Sequence, residues 1–283
     1  MSDRIMGITL IAESGATKTE WALKDGKEIT RFRTEGINVS VMSPRDVLAV
    51  VDAASSELGE KAGKIEKIVF YGAGLIGGDG IIVLDKVFKA VFPGVETAYG
   101  SDLLAAAKAG FGTESGIVAI LGTGSNSAFY DGHYIVSNIR PGGFILGDEG
   151  GGASLGKTFV ADFVKGLLPA ELSEKFREEY SLDYAGIIKN VYSGPNPAGY
   201  LASFVPFILA NRRYDCVEKM IADNFTAFIR RSLMQYDTGK YPVAVIGGFG
   251  CGCRKELEAL GEEFGIRFSR FVPSPIEELI NAE

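Results

Sequence analysis

Short apolar runs alternate along this chain with segments of helical periodicity, the order expected of an α/β protein. Residues 8–13, 21–23 and 28–34 read as an opening set of strands, with Asp25-Gly26 as the hairpin turn between the last two. Ser43-Pro44 starts a helix running to about Leu58, with serine as N-cap and proline in the first turn. A buried strand over 65–71 leads into a glycine-rich loop, 72–80, and an amphipathic helix that ends near Phe92. A short strand over 95–99 and a helix over 102–109 follow.

The plan then restarts. An apolar strand over 116–121 ends in Gly122-Thr123-Gly124-Ser125-Asn126, and strands over 128–130 and 134–138 flank Asp131-Gly132. The opening segment has the same order: apolar strand, Ser14-Gly15-Ala16-Thr17-Lys18-Thr19, strand, Asp25-Gly26, strand. This is a faint internal duplication. It predicts an N-terminal lobe over residues 1–107 and a C-terminal lobe over 108–283. Residues 152–237 read as mostly helical, followed by a buried strand over 243–246 that ends at Gly247-Gly248. A helix over 254–264, a strand over 266–268 and a serine-capped final helix over 274–281 close the chain. That last helix is expected to pack back on the N-terminal lobe.

Composition narrows the class. Glycine supplies 37 of 283 residues and proline only 10, with 46% hydrophobic residues, so the glycines belong to a well-cored protein and not to a disordered chain. The formal charge is −7 with no basic block, which argues against nucleic acid or an anionic membrane as partner. No run of membrane-spanning length occurs and the N-terminus lacks an apolar signal region, so a cytoplasmic location is expected. Three cysteines without a C-x-x-C pair do not form a disulfide or zinc framework, and the lone His133 sits at a turn.

Strand-terminated loops of Gly, Ser and Thr suit phosphate, because backbone N–H groups point inward and missing side chains permit close approach. Two such loops, at 14–19 and 122–126, could clamp a nucleotide polyphosphate. The Gly156-Lys157-Thr158 triplet starts within a helix and does not follow a buried strand, so it is read as a chance likeness to a P-loop. Glu13, Asp102 and the pair Asp148-Glu149 are the acidic candidates for holding a cation or accepting a hydroxyl proton. Taken singly, Glu13 reads equally as a strand end and Asp102 as a helix cap.

Together the two loops, Leu121-Gly122-Thr123-Gly124-Ser125-Asn126-Ser127, Phe144-Ile145-Leu146-Gly147-Asp148-Glu149-Gly150 and the late Gly247-Gly248 resemble a known family over nearly the whole chain. It is the N-acetylglucosamine kinase-like, BadF/BadG-type branch of the superfamily of acetate and sugar kinases, heat-shock ATPases and actin. The resemblance implies a two-lobed actin- or ribonuclease H-like α/β fold with a nucleotide cleft between the lobes. It also implies an ATP- and Mg²⁺-dependent kinase acting on an N-acetylated amino sugar, and a homodimer.

By the same resemblance Ser14, Gly15, Thr17 and Lys18, with Gly122, Thr123, Gly124 and Ser125, hold ATP phosphates. Gly247 and Gly248 pass along the adenosine. Asp102 matches the catalytic base and also touches the sugar, as do Asn38, Thr123, Gly142, Gly143 and Asp148. Glu13 stands near the metal, where the family usually has aspartate. The longer side chain moves the carboxylate by roughly one C–C bond, about 1.5 Å. Phe144 lies in the stretch where some relatives stack a tryptophan on the sugar. The rival readings are an ATPase that activates a partner enzyme and a non-catalytic sugar or nucleotide sensor.

Overall fold

The computed structural model describes residues 7–15, 17–75 and 78–282. Ala16 of the first loop, residues 76–77 of the expected glycine-rich loop and the N-terminal residues 1–6 lie outside the described residues. The chain divides into two units. One is built from the chain up to Ala109 and from Ser274 onward; the other runs from Gly110 to Pro273.

In the first unit β1 (Ile8–Ser14), β2 (Lys18–Asp25), β3 (Glu28–Glu35), β4 (Ile65–Gly72) and β5 (Glu96–Ser101) form one sheet in the order β3-β2-β1-β4-β5. The opening hairpins are antiparallel, while β4 and β5 join in parallel through helical crossovers. Those crossovers carry α1 (Pro44–Leu58) and α2 (Gly78–Val91); α3 (Asp102–Phe111) follows β5. Period-2 alternation sorts the strand side chains onto two faces. Leu10, Ala12, Trp21, Leu23, Ile68 and Phe70 pack against Val47, Val51, Leu84 and Phe88 of α1 and α2. Ile11, Ala22, Val69 and Tyr71 face the other way, toward Ala105 and the C-terminal Ile276, Leu279 and Ile280.

The second unit repeats the plan with β6 (Gly116–Leu121), β7 (Ser125–Tyr130), β8 (Ile135–Ile139), β9 (Val243–Ile246) and β10 (Phe268–Val272) in the order β10-β9-β6-β7-β8. Antiparallel and parallel pairings occupy the same places as in the first sheet. The faint duplication read from the loops therefore extends to the whole sheet. The long insertion between β8 and β9 holds α4 (Gly143–Leu146), α5 (Gly152–Val164), α6 (Ala170–Tyr180), α7 (Tyr184–Tyr192), α8 (Pro197–Ala202), α9 (Val205–Ala210) and α10 (Asp215–Arg231). Phe176 is its aromatic hub, with ring centroids 5.0 Å from Phe159, Phe163 and Phe204. Then come α11 (Gly248–Gly252), α12 (Arg254–Phe264) and, back in the first unit, α13 (Ile276–Ala282).

Two expectations are corrected. The strand expected over 266–268 lies at Phe268–Val272. Gly265 closes α12 in the left-handed region and the Ile266 amide donates back to the Gly261 carbonyl, so Ile266 completes the helix cap before pairing begins. The glycine-rich loop expected to run to Gly80 is shorter, because α2 already starts at Gly78. Among the described residues no helix is long and apolar enough to cross a membrane.

Candidate active site

The β1–β2 turn is held by side chains. The Ser14 hydroxyl is fully buried; it lies 2.7 Å from the Thr19 hydroxyl and accepts from the Ile37 amide at 2.7 Å. Thr19 in turn donates to the Glu35 carbonyl at 2.9 Å. The Gly15 amide closes the turn onto the Lys18 carbonyl, and the Ala73 amide ties the Ser14 carbonyl to the end of β4. The Ser14 hydroxyl is thus engaged within the framework of the loop. Thr17 and Lys18 are exposed on it.

Glu13 sits one residue before Ser14, paired in register with Glu20 on one side and Tyr71 on the other. It lies on the same strand face as Ile11, whose side chain packs with Val69, Tyr71 and α13. Burial, reinforced by the nearby Glu20 and Asp102 charges, raises its pKa to about 7 against a partial offset from Lys18. Asp102 opens α3 at the end of β5. The capping role belongs to its neighbour: Ser101 Oγ accepts from the Leu104 amide at 3.1 Å. Asp102 Oδ1 accepts from the Leu103 amide at 2.8 Å, yet burial still pushes the carboxyl above its ordinary pKa. Two desolvated carboxylates therefore stand at the carboxyl ends of β1 and β5, with the Asp102 charge adding to the raised pKa of Glu13. Among the described residues no group of three or more potential metal ligands is gathered.

Asn38 lies in the 36–42 loop, where its Oδ1 accepts from the Ser40 amide at 3.1 Å and Ser40 Oγ donates to the Gly74 carbonyl. The strand-end loop around Gly74 is in this way pinned to the Asn38 turn.

The second unit builds its loop from backbone. The Gly152 and Ala153 amides, at the start of α5, donate to the Gly122 and Thr123 carbonyls at 2.8 Å. Gly247, at φ +119°, leaves β9 so close to β6 that a Cβ would strike the Leu121 carbonyl. Gly151 lies against the Gly124 backbone, and Asn224 bridges the Gly150 amide and the Gly151 carbonyl. Segments 121–125, 147–152 and 247–250 thus converge, as their glycine content requires. Much of that glycine serves backbone packed on backbone, whereas the sequence suggests backbone approaching ligand.

Asp148 adopts φ +57°, a left-handed conformation that aspartate tolerates better than most residues. Its carboxylate lies where a Cβ on Gly124 would be and takes a hydrogen bond from the Ser125 amide. Burial nonetheless holds its pKa up, and the adjacent Glu149 adds to that. Glu149 is tied to Arg231 at 2.9 Å. A crevice running from Ser125 past Gly142 and Gly147 to Arg231 brings the end of this loop together with the expected sugar segment. Gly142 and Gly143 both have positive φ, at 80° and 74°, and open the short α4.

Some residues fall outside these arrangements. Lys157 and Thr158 lie within α5, where Thr158 Oγ1 donates to the Ser154 carbonyl, so the P-loop-like triplet is helix. Burial raises both the Cys251 and Cys253 thiols, Cys253 to about 12, the reverse of what a thiolate ligand needs. Residue-by-residue reading misses the Glu20–Arg33 pair and takes Ser274 only as a helix cap, whereas its hydroxyl donates to Glu20. The available signal is alternation: Glu20 shares a face of β2 with the buried Ala22, an unusual place for a charge.

Comparison with known proteins adds to this geometry. A candidate N-acetylglucosamine kinase from Porphyromonas gingivalis has 35% identity to this chain and a TM-score of 0.92, with 96% of this chain and 97% of that one covered. The chain belongs to the N-acetylglucosamine kinase-like family. No protein-family model and no curated protein matches the sequence. A candidate N-acetylglucosamine kinase of Chromobacterium violaceum, 20% identical, shares the fold at a TM-score of 0.68 over 96% of this chain and 97% of that one. MreB5 of Spiroplasma citri bound to ADP does so at 0.63, with 11% identity over 98% and 96%. The kinase-like family thus adopts here the actin-like α/β fold, with two five-stranded sheets.

Proposed function

We propose that the protein is an ATP-dependent kinase that phosphorylates an N-acetylated amino sugar. The observation that carries this is the 35% identity, over nearly the full length of both chains, to a candidate N-acetylglucosamine kinase. The paired carboxylates support it. Phosphoryl transfer to an alcohol needs a base that accepts the hydroxyl proton as attack proceeds. Asp102 suits that role. Burial keeps its carboxyl a better proton acceptor than a solvated aspartate, and the Leu103 amide holds Oδ1 in place.

Glu13 is the proposed metal-side residue. Hard carboxylate oxygens from Glu13, with Asp102 close enough to affect its charge, match what Mg²⁺ takes through one or two carboxylates and water. When bound, Mg²⁺ supplies neutralising charge at the transferring phosphates. Ser14, Gly15, Thr17 and Lys18 in the first loop and Gly122, Thr123, Gly124 and Ser125 in the second would border those phosphates, with the Lys18 ammonium as the charged donor. Gly247 and Gly248 would border the adenosine. Asn38, Gly142, Gly143 and Asp148 would orient the sugar, with Asp148 presenting an acceptor to a sugar hydroxyl or amide.

The test is a coupled ADP-release screen over N-acetylglucosamine, N-acetylmannosamine, N-acetylmuramic acid and glucosamine. Sugar-dependent ADP release with an N-acetylated member, confirmed by mass spectrometry of the phosphorylated sugar, is expected. Release of ADP independent of every sugar would overturn the proposal.

A further inference from the structure

Glu20 gathers three side-chain partners, Lys18, Arg33 and Ser274. Its side chain is 8% exposed, whereas Lys18 and Arg33, which contact it, are 54% and 71% exposed. Oε1 accepts from Lys18 Nζ at 2.6 Å and lies 2.8 Å from the Arg33 guanidinium. Oε2 accepts from the Ser274 hydroxyl at 2.5 Å. Burial raises the Glu20 pKa, but the Lys18 and Ser274 hydrogen bonds and the Lys18 and Arg33 charges outweigh it and hold the carboxyl below its usual range. A buried carboxylate with both oxygens occupied is a fixed point. A solvent-side ammonium hydrogen-bonded to it loses the freedom that a surface lysine normally keeps.

The partners give this fixed point its direction. Lys18 closes the β1–β2 turn, whose carbonyl the Gly15 amide holds. A lysine ammonium has three donors, so one bound to Glu20 leaves two for a ligand. Ser274 is the residue at which the chain re-enters the first unit, immediately before α13. Its hydroxyl donates to Glu20 and sits 3.5 Å from the Ile276 amide. Elsewhere α13 is attached through Arg31 to Glu277 at 2.6 Å and through Lys24 to the Ile280 carbonyl at 3.0 Å, neither of which touches Glu20.

We propose that Glu20 and Ser274 are positioning residues for the phosphate loop: Ser274 orients the Glu20 carboxylate, and Glu20 aims the Lys18 ammonium at the nucleotide's phosphates. The C-terminal segment thereby takes part in phosphate binding without touching the nucleotide. This rests on the reading of residues 14–19 as a phosphate loop. It is distinct from a charge effect of opposite sign. If Glu20 acted only as a negative charge near an anion site, neutralising it would tighten ATP binding.

The experiment uses the full-length protein and the variants Ser274→Ala, Glu20→Gln and, as a control, Arg31→Met. Mg-ATP affinity is measured by titration calorimetry, adenosine affinity by competition, and Tm by scanning calorimetry. Ser274→Ala should weaken Mg-ATP binding about fivefold and Glu20→Gln about tenfold or more, with adenosine affinity unchanged. Arg31→Met should leave Mg-ATP affinity at the wild-type level. Wild-type or tighter Mg-ATP binding by Ser274→Ala overturns the inference, and that variant decides the matter if Glu20→Gln does not fold. Equal weakening by Arg31→Met also overturns it, because the effect then belongs to helix attachment. A wild-type chain that binds no Mg-ATP overturns the phosphate-loop reading along with the inference. Binding by wild type and undiminished binding by Ser274→Ala overturns the inference alone.

Discussion

The two units share one strand order and solve the loop after their first strand in opposite ways. After β1 the turn is held by side chains: the Ser14 and Thr19 hydroxyls, and Lys18, Arg33 and Ser274 gathered on Glu20. After β6 the turn is held by backbone: the Gly122 and Thr123 carbonyls accept from the start of α5, and Gly247 passes close over Leu121. The acidic groups are alike in one respect: burial raises Glu13 and Asp102 in the first unit and Asp148 in the second, and a backbone amide, of Leu103 or Ser125, partly offsets it at Asp102 and Asp148. Alternating apolar strands suffice to specify the repeated sheet. The polar work of each loop is set by a few residues that the repeat does not constrain.

The sharpest way to break this contrast is at Asp102. If the first unit carries the chemistry, Asp102→Asn should lower kcat for sugar-dependent ADP release by about 10²–10⁴-fold. Mg-ATP affinity should stay within about twofold of wild type, as read by calorimetry. A kcat within tenfold of wild type removes the base from Asp102.

The backbone character of the second loop is tested by stability. A side chain at Gly247 combines positive φ with a clash on the Leu121 carbonyl. Gly247→Val should therefore cost about 2–4 kcal/mol in urea unfolding. A loss below about 1 kcal/mol would mean that the second loop is no more backbone-bound than the first.

Glu13 gives a pH-dependent prediction. Its folded pKa of about 7 exceeds the 4.5 of the unfolded chain, chiefly through burial. The folded state thus holds the proton more tightly. The stability this contributes is fully present below about pH 4.5 and is lost as pH rises through about 7. Asp102, also raised by burial, acts in the same sense. Without divalent cations, Glu13→Gln should be more stable than wild type by about 3 kcal/mol at about pH 8 and nearly equal to it at about pH 4. Equal stability at both pH values would place Glu13 in a solvated setting.

The smallest expected effect is at Gly15, where a Cβ would meet only the Lys18 carbonyl at 4.0 Å. Gly15→Ala should change unfolding free energy by no more than about 0.5 kcal/mol. A cost comparable to that of Gly247→Val would erase the difference between the loops.

Much of the fold is legible in the sequence because its signals are local. The Ser43-Pro44 cap, the Asp25-Gly26 turn and the alternation in β1 and β4 are read within a few residues, and α1 begins and ends where they place it. The start of β10 is not legible in this way, because Ile266 is apolar in either role; whether it pairs or caps depends on Gly265 turning left-handed. The abundance of glycine suggests the convergence of Gly122, Gly151 and Gly247, but not the reason for it. Glycine content does not tell close backbone packing from room for a ligand.

The sequence by itself determined the alternation of strands and helices, the doubled plan, the family and the acidic and glycine segments, because each depends on spacing along the chain. Only the tertiary structure decided that the Ser14 hydroxyl is framework, that Glu13 is desolvated beside Asp102, and that Ser274 meets Glu20 across 254 positions of sequence. Those outcomes depend on burial and on contacts between distant segments. Electrostatic strength follows the local dielectric and the partners within a few ångströms, and neither exists until the sheet and α13 have closed over the site.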